Sequence, residues 1–244
     1  MTTWIFVDLD DTFMQTKRKC PPEGPLFTAA LDRHGNDCNF QTMEQLMFWQ
    51  HLNAMGTVVP VTLRDRVRTI DRMKLDFSSY KIINSGATLL DANNQIDAAW
   101  QDHIGKEQEE WAAKLHQVLE GFEKELKHLE ADCRLELVHD FGMPLYITMR
   151  GDDASDVDAV ARHLFHNFWP INSGLHINGR GASFLPPCVR KERATQFLMD
   201  NIQQQSRQTP LFIGAGDSLT DLPFMQLCHY TIVPPKSQIM EHIQ

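Results

Sequence analysis

Apolar and polar positions along this chain alternate between two periods. Trp4 to Val7 is a short, wholly apolar run that stops at Asp8-Leu9-Asp10-Asp11-Thr12. Such a run predicts a strand buried on both faces, with Asp8 just past its C-terminal end. Cys20 to Asn39 is rich in Pro, Gly, Asp and Asn and reads as a loop. Thr42 then stands as a helix N-cap, Met43, Leu46, Met47 and Leu52 recur at helical spacing, Met55 closes that face, and Gly56 stops the helix. Thr57 to Val61 predicts a second strand, parallel to the first across that crossover helix, although Pro60 cannot donate to a ladder. It ends at Thr62-Leu63-Arg64-Asp65, which puts Thr62 level with Asp8. A helix over 65–75, a strand at Lys81 to Ile83 and the turn Asn84-Ser85-Gly86-Ala87 follow.

There the alternation breaks off. From 87 to 186 the pattern is one of long polar helices with separate strands, which predicts an inserted second domain between two halves of a core, 1–86 and 187–244. One helix over 105–130 carries Trp111, Leu115, Val118, Leu119, Phe122, Leu126 and Leu129 as a stripe. Pro144 to Met149 reads as a strand, Ser155 as the cap of a second helix, and Leu175 to Asn178 as the start of a return strand with Arg180 in a Gly-flanked turn. The strand and helix alternation resumes at Lys191, with a strand at Leu211 to Ile213, a second acidic loop at Gly214 to Asp221, and a last strand at Thr231 to Val233. The fold class is therefore α/β, a Rossmann-like parallel-sheet core with an inserted α+β cap.

Composition narrows the function classes. The net charge of −9 over 244 residues, with no compact basic patch, excludes nucleic acid and anionic membrane as partners. Five scattered cysteines have no paired spacing for a zinc site or redox couple, and no apolar run is long enough to cross a bilayer. These features predict a cytoplasmic protein without membrane contact. They leave its oligomeric state open.

The acidic stretches carry the chemistry. Two carboxylates about 4 Å apart repel by about 4 kcal/mol at an effective dielectric near 20, so a fold that clusters three needs a cation, a shared proton or solvent. Mg2+ suits such a site because it takes oxygen ligands and keeps waters that a phosphate can displace. Taken alone, the first stretch reads equally as a strand end with a solvated acidic turn. Asp221 reads also as a helix N-cap before Leu222-Pro223, Lys191 as a solvated lysine, and Arg64 as a substrate contact or a structural pair with Asp65 or Asp11.

In combination, Asp8-Leu9-Asp10-Asp11-Thr12, Thr62, Lys191 and Gly216-Asp217-Ser218-Leu219-Thr220-Asp221 resemble the four motifs of the haloacid-dehalogenase superfamily, in order and across almost the whole chain. The insert after the third strand and the Thr-x-Arg form at Thr62 to Arg64 resemble the branch with a large α+β cap, which includes Cof-type, sucrose-phosphate and mannosyl-3-phosphoglycerate phosphatases. The resemblance implies that Asp8 is a nucleophile forming an aspartyl phosphate, that Asp10 is the acid and base, and that Thr62 and Lys191 hold the phosphoryl group. It implies Mg2+ ligation by Asp8, the Asp10 carbonyl and Asp217, with Asp221 on a metal-bound water. Arg64, Thr220, Asn178 and Arg180 are the further candidates for phosphate or substrate contact. The implied substrate is a small phosphorylated sugar or sugar-acid conjugate. A phosphosugar mutase of the same superfamily and a non-catalytic sugar-phosphate sensor are the alternatives. Leu63 and Thr220 stand where Cof-type members have Gly and Asn.

Overall fold

Five uncharged residues, Thr3–Val7, form strand β1 in the computed structural model, which describes residues 2–243. Ile5, Phe6 and Val7 are fully buried because β1 runs between two parallel neighbours, β5 (Thr57–Pro60) and β12 (Leu211–Ala215). With β13 (Tyr230–Ile232) the order is β13-β12-β1-β5, all parallel. A strand flanked and covered in this way has no face for polar side chains, hence the unbroken apolar run. Pro60 is accommodated by the alternation of N–H directions. Val61 donates to Val7 O (2.7 Å) and Thr62 to Ile82 O (2.9 Å) on the opposite side. The donor Pro60 lacks therefore falls where pairing with β6 (Lys81–Ile83) starts only at Val61.

Helix α1 (Met43–Met55) opens with a capping box in which Thr42 and Gln45 each accept the other's backbone N–H. It stops at Gly56, where a Cβ would lie 2.5 Å from Thr3 O. Its buried side chains are Trp49 and Leu52. Met43, Met47 and Met55, expected on the buried face, are 39–50% exposed. Trp49 decides the face, since its indole meets Phe13 and Phe77 edge-on at 5.5 Å each.

Two expectations for this unit are corrected. The stretch read as a loop contains a hairpin, β3 (Phe27–Leu31) and β4 (Asp37–Gln41), in the order β2-β4-β3 with β2 (Gln15–Thr16). Its turn is held by Asp32, whose Oδ1 accepts from His34 N and Asn36 N, and by Gly35 at φ +83°. The helix expected over 65–75 shrinks to one wide turn, Val67–Asp71. Residues beyond it pair with β3 instead, through Leu31 N to Arg72 O and Lys74 N to Ala29 O, both 2.8 Å.

The chain divides into two compact units, one reaching to Trp100 and resuming at Lys191, the other Gln101–Arg190. Residues 87–100, expected in the insert, belong to the first because β7 (Thr88–Leu90) folds back antiparallel on β6. Helix α2 (Ala98–His128) begins in the first unit and continues through the second.

The second unit is an antiparallel sheet, β10 (Gly174–Asn178), β11 (Gly181–Leu185), β9 (Met143–Gly151), β8 (Cys133–Asp140), with α2 and α3 (Ala154–Phe168). Leu115, Phe122 and Leu126 from α2, Val157, Ala161 and Leu164 from α3, and Ile147, Met149 and Phe184 from the sheet form one core, so both helices share one sheet face. The cap of α3 is Asp153, which accepts from Ser155 N and Asp156 N, rather than the expected Ser155. The remaining helices are α4 (Lys191–Gln205), α5 (Leu222–Met225) and α6 (Gln238–Ile243). Among the described residues no helix is long and apolar enough to cross a membrane, and all five cysteines are free thiols.

Candidate active site

The parallel register of β1 and β12 builds the site. Val7 stands opposite Ala215, and Asp8 N–H still donates to Ala215 O (2.8 Å), so the chain leaves both strands at one level. Asp8 and Asp217 emerge there, at the carboxyl ends where open parallel sheets place ligands. Gly216 permits the second loop to close on itself, since a Cβ would lie 2.6 Å from Asp221 Cβ and 2.9 Å from Met225 Sδ. Asp8, Asp217 and Asp221, residues from opposite ends of the sequence, each bring one carboxylate oxygen to within 4.8 Å of the others.

Lys191, the first residue of α4, is buried and donates to Asp8 Oδ1 and Asp221 Oδ1, each at 2.7 Å. Burial works against its charge, but the two carboxylates more than compensate and hold the ammonium firmly protonated. Asp8 is pushed well above the usual carboxylate range by burial and by Asp221 and Asp217, with Lys191 pulling the other way. Burial, then Asp221 and Asp11, raise Asp217 to about 7, against the Thr12 hydroxyl that donates to its Oδ1 (3.2 Å). Three carboxylates around one ammonium are thus an anionic pocket of hard oxygen donors. That donor set fits a divalent cation such as Mg2+.

Asp221 is the residue before α5, yet its side chain makes no cap bond to that helix. Its Oδ2 accepts from Ser218 N (3.0 Å) and Ser218 Oγ (2.7 Å), which orients Oδ1 toward Lys191. The Thr220 hydroxyl bonds Ser218 Oγ at 2.8 Å, so it braces this loop. Thr62, 1% exposed just beyond β5, accepts Arg64 N–H on its Oγ1 (3.2 Å), which leaves the hydroxyl proton to donate.

Arg64 does not pair with Asp65 or Asp11. Asp65 takes Arg68 and Asp11 takes Lys19, whereas Arg64 grips Asp10 with Nε on Oδ2 and Nη2 on Oδ1, both 2.7 Å. Partial burial pushes Asp10 up, but the Arg64 bonds and charge outweigh it and hold the carboxyl below its ordinary value. Asp10 here has the form that accepts a proton. Asn39, a residue sequence reasoning missed, stands on β4 within reach of both Asp10 and Arg64. The signal for it was the Asp-x-x-Gly turn that makes the hairpin. Asn178 and Arg180 lie at the exposed β10–β11 turn of the second unit.

No family model matches the chain, and no curated protein matches it. Solved structures do. A sucrose-phosphatase from Synechocystis, solved with sucrose and phosphate, matches at TM-score 0.55 and 16% identity over 100% of this chain and 87% of its own. The C-terminal domain of the trehalose-6-phosphate phosphatase of C. albicans matches at 0.54 and 12% identity, over 92% of this chain and 73% of that one. A Thermoplasma acidophilum protein matches at 0.55 and 12%, over 100% and 90%. At these identities the likeness is one of fold: a parallel core with an inserted α+β unit.

Proposed function

We propose that this chain is a Mg2+-dependent phosphomonoesterase acting on a small phosphorylated sugar or sugar-acid conjugate through an aspartyl phosphate. The observation that carries the reading is the convergence of Asp8, Asp217 and Asp221 on one point with Lys191 bonded to Asp8. Asp8, Asp217 and the backbone carbonyl of Asp10 would hold the ion, with Asp221 on one of its waters. When bound, Mg2+ supplies positive charge to a phosphoryl group that three carboxylates would otherwise repel.

Asp8 attacks phosphorus with a carboxylate oxygen while the bond to the sugar oxygen breaks, and Asp10, which must first take up a proton against the pull of Arg64, protonates that leaving oxygen. Water then attacks the aspartyl phosphate and passes a proton to Asp10, releasing phosphate and restoring Asp8. Thr62 donates its hydroxyl proton to a phosphoryl oxygen, and Lys191 screens the charge between the phosphoryl group and Asp8.

A screen of phosphorylated metabolites with Mg2+, scored by free phosphate, tests this reading. Inorganic phosphate with the free sugar is the expected product pair. An isomeric phosphosugar instead would make the chain a mutase, and ligand binding without turnover would make it a sensor.

A further inference from the structure

Asp10 is held by groups that the chemistry above leaves without a role. Arg64, 8% exposed, meets it through a planar two-bond fork, and Asn39, 7% exposed, adds a longer contact from Nδ2 to Oδ1 (3.4 Å). The Asn39 amide is itself oriented, because its Oδ1 accepts Arg64 Nη2 at 3.1 Å. Asn39 in turn sits in the middle of β4, in register with Thr16 on β2 and Ala30 on β3. A hairpin inserted directly after the nucleophile strand therefore ends up buttressing the side chain two positions beyond Asp8.

We infer that Asn39 and Arg64 are positioning residues that aim the Asp10 carboxylate at the water which hydrolyses the aspartyl phosphate. The inference rests on the phosphatase reading. A bidentate guanidinium fixes both the plane and the rotation of a carboxylate. An ionised carboxylate is acceptor-only with about four lone-pair sites, three of which these contacts occupy, leaving one for the O–H of a water. In the step served, the water oxygen bonds to phosphorus, the phosphorus to Asp8 oxygen bond breaks with its electron pair returning to Asp8, and the water proton passes to Asp10.

The clamp acts on the second half-reaction, and that has a kinetic signature. With p-nitrophenyl phosphate the leaving group needs no proton, so formation of the aspartyl phosphate is insensitive to Asp10 while its hydrolysis is not. Arg64→Lys, which keeps the charge and loses the fork, should lower kcat by about 100-fold and KM in proportion, leaving kcat/KM nearly unchanged. It should also turn a linear time course into a nitrophenol burst of one equivalent per enzyme. Asn39→Ala should do the same more weakly, by about fivefold in kcat. A raised KM without a burst would make Arg64 a substrate contact and overturn the inference. So would a lowered Tm with unchanged kcat per folded molecule, in either variant. Failure of the wild type to release phosphate would instead overturn the phosphatase reading itself, and the clamp with it.

Discussion

Asp8→Asn is expected to lower phosphate release by at least about 10⁴-fold while leaving the fold in place, because removing a nucleophile costs far more than removing any group that assists it. The amide is isosteric, so β1 and its pairing with β12 are undisturbed. The attacking oxygen, its charge and the ion pair with Lys191 are lost, while Lys191 keeps its pairing with Asp221. The same change relieves repulsion within a cluster whose oxygens lie within 4.8 Å of one another. Thermal stability without metal should therefore stay level or rise while activity vanishes. Phosphate release and a melting curve on the same sample check both halves, and a variant retaining near-normal turnover would remove Asp8 from the chemistry.

Chelation of Mg2+ should be nearly as damaging, and its pH dependence follows from the carboxylates. Asp217 is raised from an ordinary 3.8 to about 7, and Asp8 is raised as well. A carboxyl with a raised folded pKa favours the metal-free fold at low pH, and that contribution is lost as pH climbs through about 7. A divalent ion that binds the ionised cluster reverses the balance, so its stabilisation should grow with pH over the same window. At a Mg2+ concentration about 100 times its dissociation constant the gain is about 2.7 kcal/mol, which for a chain of this length corresponds to a rise in Tm of about 5–10 °C. The rise should be clear at pH 8 and small at pH 5.5, with activity in EDTA below a few per cent. Equal Tm shifts at both pH values, or full activity in EDTA, would mean that the cluster does not hold the working ion.

Much of this architecture is readable before folding is considered. The Trp4 to Val7 run ending at Asp8 and the Leu211 to Ile213 run leading to Asp217 announce two buried parallel strands and what stands at their ends. The Thr42 start of α1 follows from local hydrogen bonding, and Gly56 marks its end. What escaped notice depends on partners distant in the chain. The 65–75 stretch has helical spacing, but its last residues serve better as a neighbour for β3. Strand β8, by contrast, alternates apolar and polar residues from Cys133 to Leu137, a signal that sequence reasoning missed, and it pairs along its length with β9. Arg64 could have taken any of several acidic neighbours. Its choice of Asp10, 54 positions away, is set by the strand ends that bring the two loops together. Asn39 lay in a segment whose Pro, Gly and Asp content masks a hairpin.

Asp8, the proposed nucleophile, would carry the phosphoryl group during turnover. Acid quenching of the enzyme during turnover with Mg2+, followed by peptide mapping, tests it directly. One phosphoryl adduct is expected, on the peptide containing Asp8 and absent from Asp8→Asn. Phosphate release with no adduct, or an adduct on another residue, would contradict it.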